Sequence, residues 1–394
     1  MTRSGSFITR TDLARLDAED PLAFARDRFA LPEGLIYLDG NSLGALPRAV
    51  LPAVQQTVSD QWGQGLIRSW NDAGWIDAPQ RVGARIAALI GAAPDEVIAA
   101  DSTSVNLFKA LSAALRLRPG RSVILGEAGD FPTNTYISAS AASLFARDFK
   151  GVETHDLMAQ INEQVAVVVL THVNYRTGRL HDMAALTQRA HQAGALILWD
   201  LCHTAGAMPC DLSANQVDFA VGCGYKYLNG GPGAPAFVYA ARRHHAVLAH
   251  PLTGWLGHDA PFAFEKDYRP AQDLRRMIAG TPPVLGMQAL EAALTAFDGI
   301  DLHALRAKSQ ALTEIFIALC EQELEGQGFA LFSPRDPDQR GSQVSFTHQQ
   351  AYPIMQALIA RGVIGDVRAP DILRFGFAPL YLRHVDVWDA VACL

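Results

Sequence analysis

Lys226 and Asp200 are the two residues in this chain whose types and settings most clearly imply chemistry. The aspartate ends an apolar run, Ala195-Leu-Ile-Leu-Trp-Asp200, and the lysine lies within Gly222-Cys-Gly-Tyr-Lys-Tyr-Leu-Asn-Gly-Gly-Pro-Gly233. A carboxylate at the end of a buried strand can hold a pyridine nitrogen protonated, and an amine set among aromatics and glycines can form a Schiff base with an aldehyde. The pairing points to a pyridoxal phosphate site. Taken singly, the aspartate would serve as a turn cap and the lysine as a surface cation. With His203 and Tyr225 alongside, the two together favour the cofactor reading.

Other segments could hold the phosphate. Asp101-Ser-Thr-Ser-Val-Asn106 follows a strand pattern and opens a helical one, which places the hydroxyls of Thr103 and Ser104 and free backbone N–H groups at the positive end of a helix dipole. In isolation the same segment reads equally as an N-cap. Phe131-Pro132-Thr133-Asn134 also precedes a helix, with Phe131 available to stack on a planar ring and the polar pair to cap the turn. Thr171 falls just past an apolar strand, at the edge where open α/β sheets bind ligands. Arg374, in Leu-Arg-Phe-Gly-Phe (373–377), is one cation inside an apolar strand, and burying it unpaired is expensive. A substrate carboxylate is the natural partner, and a structural Asp or Glu is the alternative. The glycine-rich loops around Trp255 and Thr281 carry no chemistry that can be read directly.

The elements that must position these residues alternate as short apolar strands and helical patterns, the mark of βαβ units and a mostly parallel sheet. Strands are predicted at 97–100, 122–125, 165–170, 195–199, 219–222 and 236–239, with helices at 105–115, 135–145 and 183–193. From about residue 284 the pattern changes to long helices (284–297, 302–323) and then a strand–helix–strand unit (344–346, 353–361, 372–377). The expected organisation is α/β, with a large cofactor-binding domain over 45–285 and a smaller α+β domain formed by 1–44 and 286–394. The chain stops in a helical pattern, which is compatible with a further C-terminal tail.

At 394 residues the chain can bury a large core, and its net charge of −7 is dispersed, with no basic patch for nucleic acid. The first 30 residues are charged throughout, and no run of 18 apolar residues occurs, so a cytoplasmic protein without a membrane span is expected. Five cysteines at 202, 210, 223, 320 and 393 show no metal-type spacing and read as reduced thiols in packing roles. No metal is expected.

The motifs together resemble the kynureninase family, fold-type I pyridoxal phosphate hydrolases related to the aminotransferases and cysteine desulfurases. The resemblance covers essentially the whole length. It runs from Tyr-Leu-Asp-Gly-Asn-Ser-Leu-Gly (37–44) through Trp-Gly-Gln-Gly-Leu-Ile-Arg-Ser-Trp (62–70), Thr-His-Val-Asn-Tyr-Arg-Thr-Gly (171–178), Trp-Asp-Leu-Cys-His (199–203), Gly-Tyr-Lys-Tyr-Leu-Asn (224–229), Gly-Trp-Leu-Gly-His (254–258) and Gly-Thr-Pro-Pro (280–283) to Leu-Arg-Phe-Gly-Phe-Ala-Pro-Leu-Tyr (373–381). It implies a seven-stranded sheet and hydrolysis of L-kynurenine, or its 3-hydroxy form, to the anthranilate and L-alanine, in tryptophan breakdown or NAD biosynthesis.

Carried over by motif, the resemblance assigns Lys226 to the Schiff base, Asp200 to the pyridine nitrogen and Phe131 to stacking. Thr103, Ser104 and Tyr225 go to the phosphate and its surroundings, Thr171, Asn134 and His203 to the cofactor shell, and Tyr225 doubles as an acid or base. Trp255 and Thr281 are implied to reach the phosphate of a second subunit, making a homodimer part of the site. Arg374 is assigned to the substrate carboxylate, with Asn41, Ser42 and Trp62 near the substrate. Cys202 departs from the small alanine common in relatives. A cysteine desulfurase or aminotransferase on the same scaffold is the alternative, but a desulfurase needs a cysteine on a mobile loop. Cys320 falls in a helical run and Cys393 at the chain's end.

Overall fold

Val165–Thr171 is buried at all seven positions, so this strand has to be covered on both faces. It lies within a seven-stranded sheet. The structure, a computed structural model, describes residues 8–394, so residues 1–7 of the expected N-terminal segment lie outside the described residues. In chain order the strands are β1 (Ile36–Tyr37), β2 (Val97–Ala99), β3 (Val123–Glu127), β4 (Asp148–Val152), β5 (Val165–Thr171), β6 (Leu196–Asp200), β7 (Phe219–Gly222), β8 (Phe237–Ala240), β9 (Ala330–Leu331), β10 (Gln343–Thr347), β11 (Val363–Ile364), β12 (Asp366–Arg368) and β13 (Ile372–Gly376).

The large sheet has the order β2-β8-β7-β6-β5-β3-β4. Pairings from β7 to β4 are parallel, while β8 runs antiparallel to both its neighbours. Side chains alternate across it as the pleat requires. Ile98, Ile124, Val167 and Leu198 pack with the helices Thr103–Arg116 and Pro132–Leu144 on one face. Leu125, Val168, Ile197 and Trp199 pack with Ala78–Ile90, Met183–Gln192 and Val284–Ala293 on the other.

Each predicted strand and helix recurs with ends shifted by a few residues, the largest shift being at 284–297, where the α-helix ends at Ala293 and continues as a 3-10 turn. The short strands β1, β9, β11 and β12 escaped the sequence pattern, as did one strand of the large sheet. β4, Asp-Phe-Lys-Gly-Val, is an edge strand, mostly exposed or half-buried, so it lacks the apolar run that marked the others.

Beyond the sheet, β12-β13-β10-β9 make a four-stranded antiparallel sheet. The helix Leu302–Glu323 covers it, with the Phe316 ring 4.9 Å from Phe375 and 5.2 Å from Phe377. The helix Val284–Ala293 packs instead against Val50–Gln56 and Ala78–Ile90, on the large-sheet side of the division expected near residue 285. The N-terminal segment joins the smaller sheet: the helix Arg10–Ala18 packs against His384–Cys393, β1 pairs with β11, and Asp39 bridges Gly376.

A second tie is the ion pair between Lys308 Nζ and Asp20 Oδ2, 2.6 Å apart with both side chains almost wholly buried. Lys308→Ala leaves an uncompensated buried carboxylate and is expected to cost roughly 3–5 kcal/mol. Arg10→Ala, which breaks a bidentate but exposed pair with Asp389, should cost far less because solvent screens the pair. Urea midpoints at constant slope measure both; equal losses would contradict the assignment.

Candidate active site

The strands β2, β3, β5, β6 and β7 point the same way, so the segments leaving their carboxyl ends meet at one edge. One pocket there is lined by Thr103 and Ser104 after β2, Phe131, Thr133 and Asn134 after β3, Thr171 and Tyr175 from β5, Asp200, Cys202 and His203 from β6, and Tyr225 and Lys226 after β7. Ten residues predicted from sequence are thereby brought together.

Each wall has a local cause. After β2 the chain turns at Asp101, whose φ of 47° is left-handed, and Ser102 caps the helix that begins at Thr103 by accepting from the Val105 N–H. Thr103 and Ser104 therefore sit in its first turn, at the positive end of the dipole. Lys109 of that helix is fully buried and bonded to Asp101, at 2.6 Å, and to the Met277 carbonyl, which leaves it no role in the pocket.

Asp200 is buried and hydrogen-bonded at both oxygens: Oδ1 accepts from the Cys202 N–H at 2.8 Å and Oδ2 from Asn134 Nδ2 at 3.0 Å. Asn134 Nδ2 also reaches Thr171 Oγ1 at 3.0 Å, and Thr171 donates to Asp130. Burial, and then the Asp200 charge, push Asp130 up to about 7. Pro132 stands at the start of its helix, outside the pocket lining, where its fixed φ suits the first turn.

Lys226 Nζ lies 6.0 Å from the Phe131 ring centroid and 5.8 Å from that of Tyr225. Burial raises the Tyr225 phenol above its ordinary range, so it keeps its proton at neutral pH. Burial and then the Lys226 charge push His203 well below its usual range; the ring is neutral, and its buried Nδ1 has no hydrogen-bond partner. Amine, carboxylate, aromatic ring and helix N-terminus are the donor set that pyridoxal phosphate requires, and the orphaned His203 nitrogen faces the same pocket wall.

The lysine segment is fixed by close backbone approaches. The Gly44 N–H donates to the Tyr225 carbonyl at 2.8 Å, and a Cβ on Gly44 would fall 2.2 Å from the Lys226 carbonyl oxygen. Only glycine admits the Asn-Ser-Leu-Gly segment that close.

The model of the kynureninase C-terminal domain matches residues 305–394. A kynureninase from Burkholderia mallei strain SAVP1 is 53% identical over 393 residues, covering 98% of this chain and 94% of the relative. The chain belongs to the kynureninase family. A kynureninase from Pseudomonas fluorescens is 50% identical with the same coverage. Among solved structures, a cysteine desulfurase from Thermococcus onnurineus NA1 has a TM-score of 0.79 at 18% identity, covering 94% of this chain and 96% of that one. One from Escherichia coli has a TM-score of 0.77 at 22%, covering 94% and 97%. At that identity the likeness extends to the fold alone, which is the fold-type I α/β architecture expected.

In this kynureninase-family chain the remaining predicted residues fall in two places. Asn41, Ser42 and Arg374 cluster on the smaller-sheet side. Arg374 is already paired there: Nε donates to Asp366 Oδ1 at 2.8 Å and Nη2 to Asp366 Oδ2, Nη2 also reaches Ser42 Oγ at 2.8 Å, and Nη1 reaches the Tyr175 carbonyl at 2.9 Å. The structural carboxylate weighed as an alternative partner is therefore present: β12 sets Asp366 directly across from Arg374. Trp62, Trp255 and Thr281 lie outside the pocket lining and are exposed.

Sequence reasoning missed Asp130, Tyr175, Gln343 and Asp366. Gln343 shares the Tyr175 carbonyl with Arg374, and the Tyr175 ring meets Phe131 edge-on at 5.2 Å. The packing role expected of all five cysteines also needs correction, since Cys202 lines the pocket two residues beyond the strand-end carboxylate.

Borohydride reduction of the yellow, cofactor-loaded protein followed by peptide mapping should place the label on Lys226. Label on Lys109 or Lys308, both buried in ion pairs, would remove the basis of the site.

Proposed function

We propose that this chain hydrolyses L-kynurenine to anthranilate and L-alanine, with Lys226, Asp200, Tyr225 and Arg374 in distinct roles. The observation that carries the reading is one pocket lined by the Lys226 amine, the buried Asp200 carboxylate and a helix N-terminus, in a chain 53% identical to a kynureninase. Pyridoxal phosphate, when bound, supplies the electron sink that lets the Cα–H and Cβ–Cγ bonds break. Asp200 would hold the pyridine nitrogen protonated, Thr103 and Ser104 would hold the phosphate, and Phe131, Asn134, Thr171 and His203 would hold the ring, with Pro132 and Thr133 shaping the turn beside it.

Lys226 Nζ takes the Cα proton and returns it. Water adds to the γ-carbonyl with help from Tyr225 Oη, whose proton is retained because burial raises the phenol's pKa. Arg374 orients the substrate through its carboxylate, with Asn41 and Ser42 alongside. Cys320 is buried inside the helix Leu302–Glu323 and Cys393 ends the helix His384–Cys393, so neither is the loop cysteine that a desulfurase would need.

A second copy of the chain is part of the proposal. Gly254 packs so tightly on Ala279 that a Cβ would fall 1.8 Å from its carbonyl oxygen, which brings together the two loops that carry the exposed Trp255 and Thr281. The exposed surface also carries Leu51, Trp62, Leu66, Ile67, Phe262 and Phe264, of which Ile67 is 76% and Phe264 77% exposed. Exposed apolar groups on this scale fit a subunit interface. Among the described residues no helix is long and apolar enough to cross a membrane, and we place the activity in the cytoplasm.

Two experiments follow. A bidentate or shared guanidinium–carboxylate contact is worth roughly 1.5–3 kcal/mol, so Arg374→Ala should weaken kynurenine binding and turnover at least about tenfold while the visible absorption of the bound cofactor survives. Asp200→Ala should instead lower cofactor affinity itself. Normal kynurenine kinetics with a lowered Tm would make Arg374 a structural partner of Asp366 only.

Sedimentation of loaded and cofactor-free protein should show a dimer that dissociates less readily when loaded. A fully active monomer would contradict the shared site.

A further inference from the structure

Asp39, Asp366, Arg368 and Arg374 form a four-charge cluster beside the pocket. Arg374 is buried and clamped on Asp366, whose Oδ2 also accepts from Arg368 Nη2 at 2.8 Å and from Ser42 Oγ at 2.8 Å. Asp39 enters from the N-terminal segment, bridged to Gly376 next to the Arg374 strand. With its amide turned to satisfy both neighbours, Asn41 donates to Asp39 Oδ1 at 3.3 Å and accepts from Arg374 Nε at 3.2 Å. Two carboxylates and two guanidiniums therefore balance before any substrate arrives.

We infer that the substrate carboxylate binds Arg374 together with one proton from solvent, held by the Asp39–Asp366 pair. This rests on the reading that Arg374 receives that carboxylate. Of the five guanidinium N–H groups four are already donated, to Asp366 twice, to Ser42 and to Tyr175. The substrate must share the arginine with Asp366, which puts a third carboxylate into a half-buried cluster that holds two cations. Repulsion of this kind is relieved by protonating one of the carboxylates.

The surroundings leave Asp39 as the acceptor. Burial, and then the Asp366 charge, push Asp39 up to about 7. Burial opposes the Asp366 charge as well, but the Arg374 hydrogen bonds outweigh it and hold that carboxyl below its ordinary range. The other groups facing Asp39 are the phenols of Tyr37, Tyr227 and Tyr381, all raised by burial, and they stay protonated throughout the neutral range. An acid with a raised pKa carries its proton below that value and loses it above. Carboxylate binding should therefore be strongest below pH about 7 and weaken as pH rises.

The test uses the cofactor-loaded enzyme and 4-(2-aminophenyl)-4-oxobutanoate, which keeps the substrate's ketone, carboxylate and ring amine but lacks the reacting α-amine. Calorimetric titration in two buffers of different ionisation heat should show uptake of close to one proton near pH 8. Affinity should fall almost tenfold per pH unit above about 7. Asp39→Asn leaves one carboxylate against two arginines, so its affinity should be flat with pH and its proton uptake near zero. A wild-type affinity independent of pH with no proton uptake overturns the inference, as does an Asp39→Asn protein that keeps the wild-type slope. In either case a loss of tenfold or more in Arg374→Ala leaves the Arg374 assignment standing. Wild-type probe affinity in Arg374→Ala removes that assignment, and the proton coupling with it.

Discussion

The hydrogen bond from the Gly44 N–H to the Tyr225 carbonyl joins the two halves of the site. On one side is the lysine segment after β7, set by the large sheet; on the other is a chain that has already paired with β11 through β1 and with the smaller sheet through Asp39. A Cβ at position 44 would overlap the Lys226 carbonyl, so the distance between amine and arginine cluster depends on the absence of one methyl group. Gly376 enforces the same closeness at the far end, where a Cβ would fall 2.0 Å from Asn41 Oδ1. Backbone contact, more than any ion pair, registers substrate site against cofactor site.

The polar groups along the sheet edge form a connected set. Thr171 and Asn134 link Asp130 to Asp200, and Asn174 and His181 hold Glu127 at the end of β3. A buried carboxylate is tolerated when each oxygen has a donor, and both oxygens of Asp200 do. Its neighbour Asp130 accepts at both oxygens as well, from the Phe131 and Thr171 N–H groups and from the Asn134 and Thr171 side chains. Burial and then the Asp200 charge still raise it to about 7, so desolvation and a like charge prevail there over four donors.

Much of this was legible in the sequence where chemistry and local pattern coincide. Asp200 ends an apolar run, Lys226 sits among glycines and aromatics, and Thr103 opens a helix, so each carries its own signal. Asp366, Tyr175 and Gln343 carry none, since their roles arise from long-range pairing: Asp366 matters only because β12 lies against β13. The three-residue turn Ala369-Pro370-Asp371 between them lacks the glycine that marks a hairpin in a sequence, so the contact is seen only in the fold. β4 was silent for another reason, because an exposed edge strand needs no apolar run.

The reversed strand β8 gives the lysine segment an unusual tether. Most catalytic loops of a parallel sheet lead away into a crossover helix, whereas residues 223–236 leave β7 and return at once to its antiparallel neighbour, closed by the pairing of Gly222 with Phe237. The entropic cost of holding such a loop grows only with the logarithm of its short length. The ends of the Lys226 segment are thereby held by one hairpin-like excursion, and the long-range contact at Gly44 has only to set the register of a loop already closed.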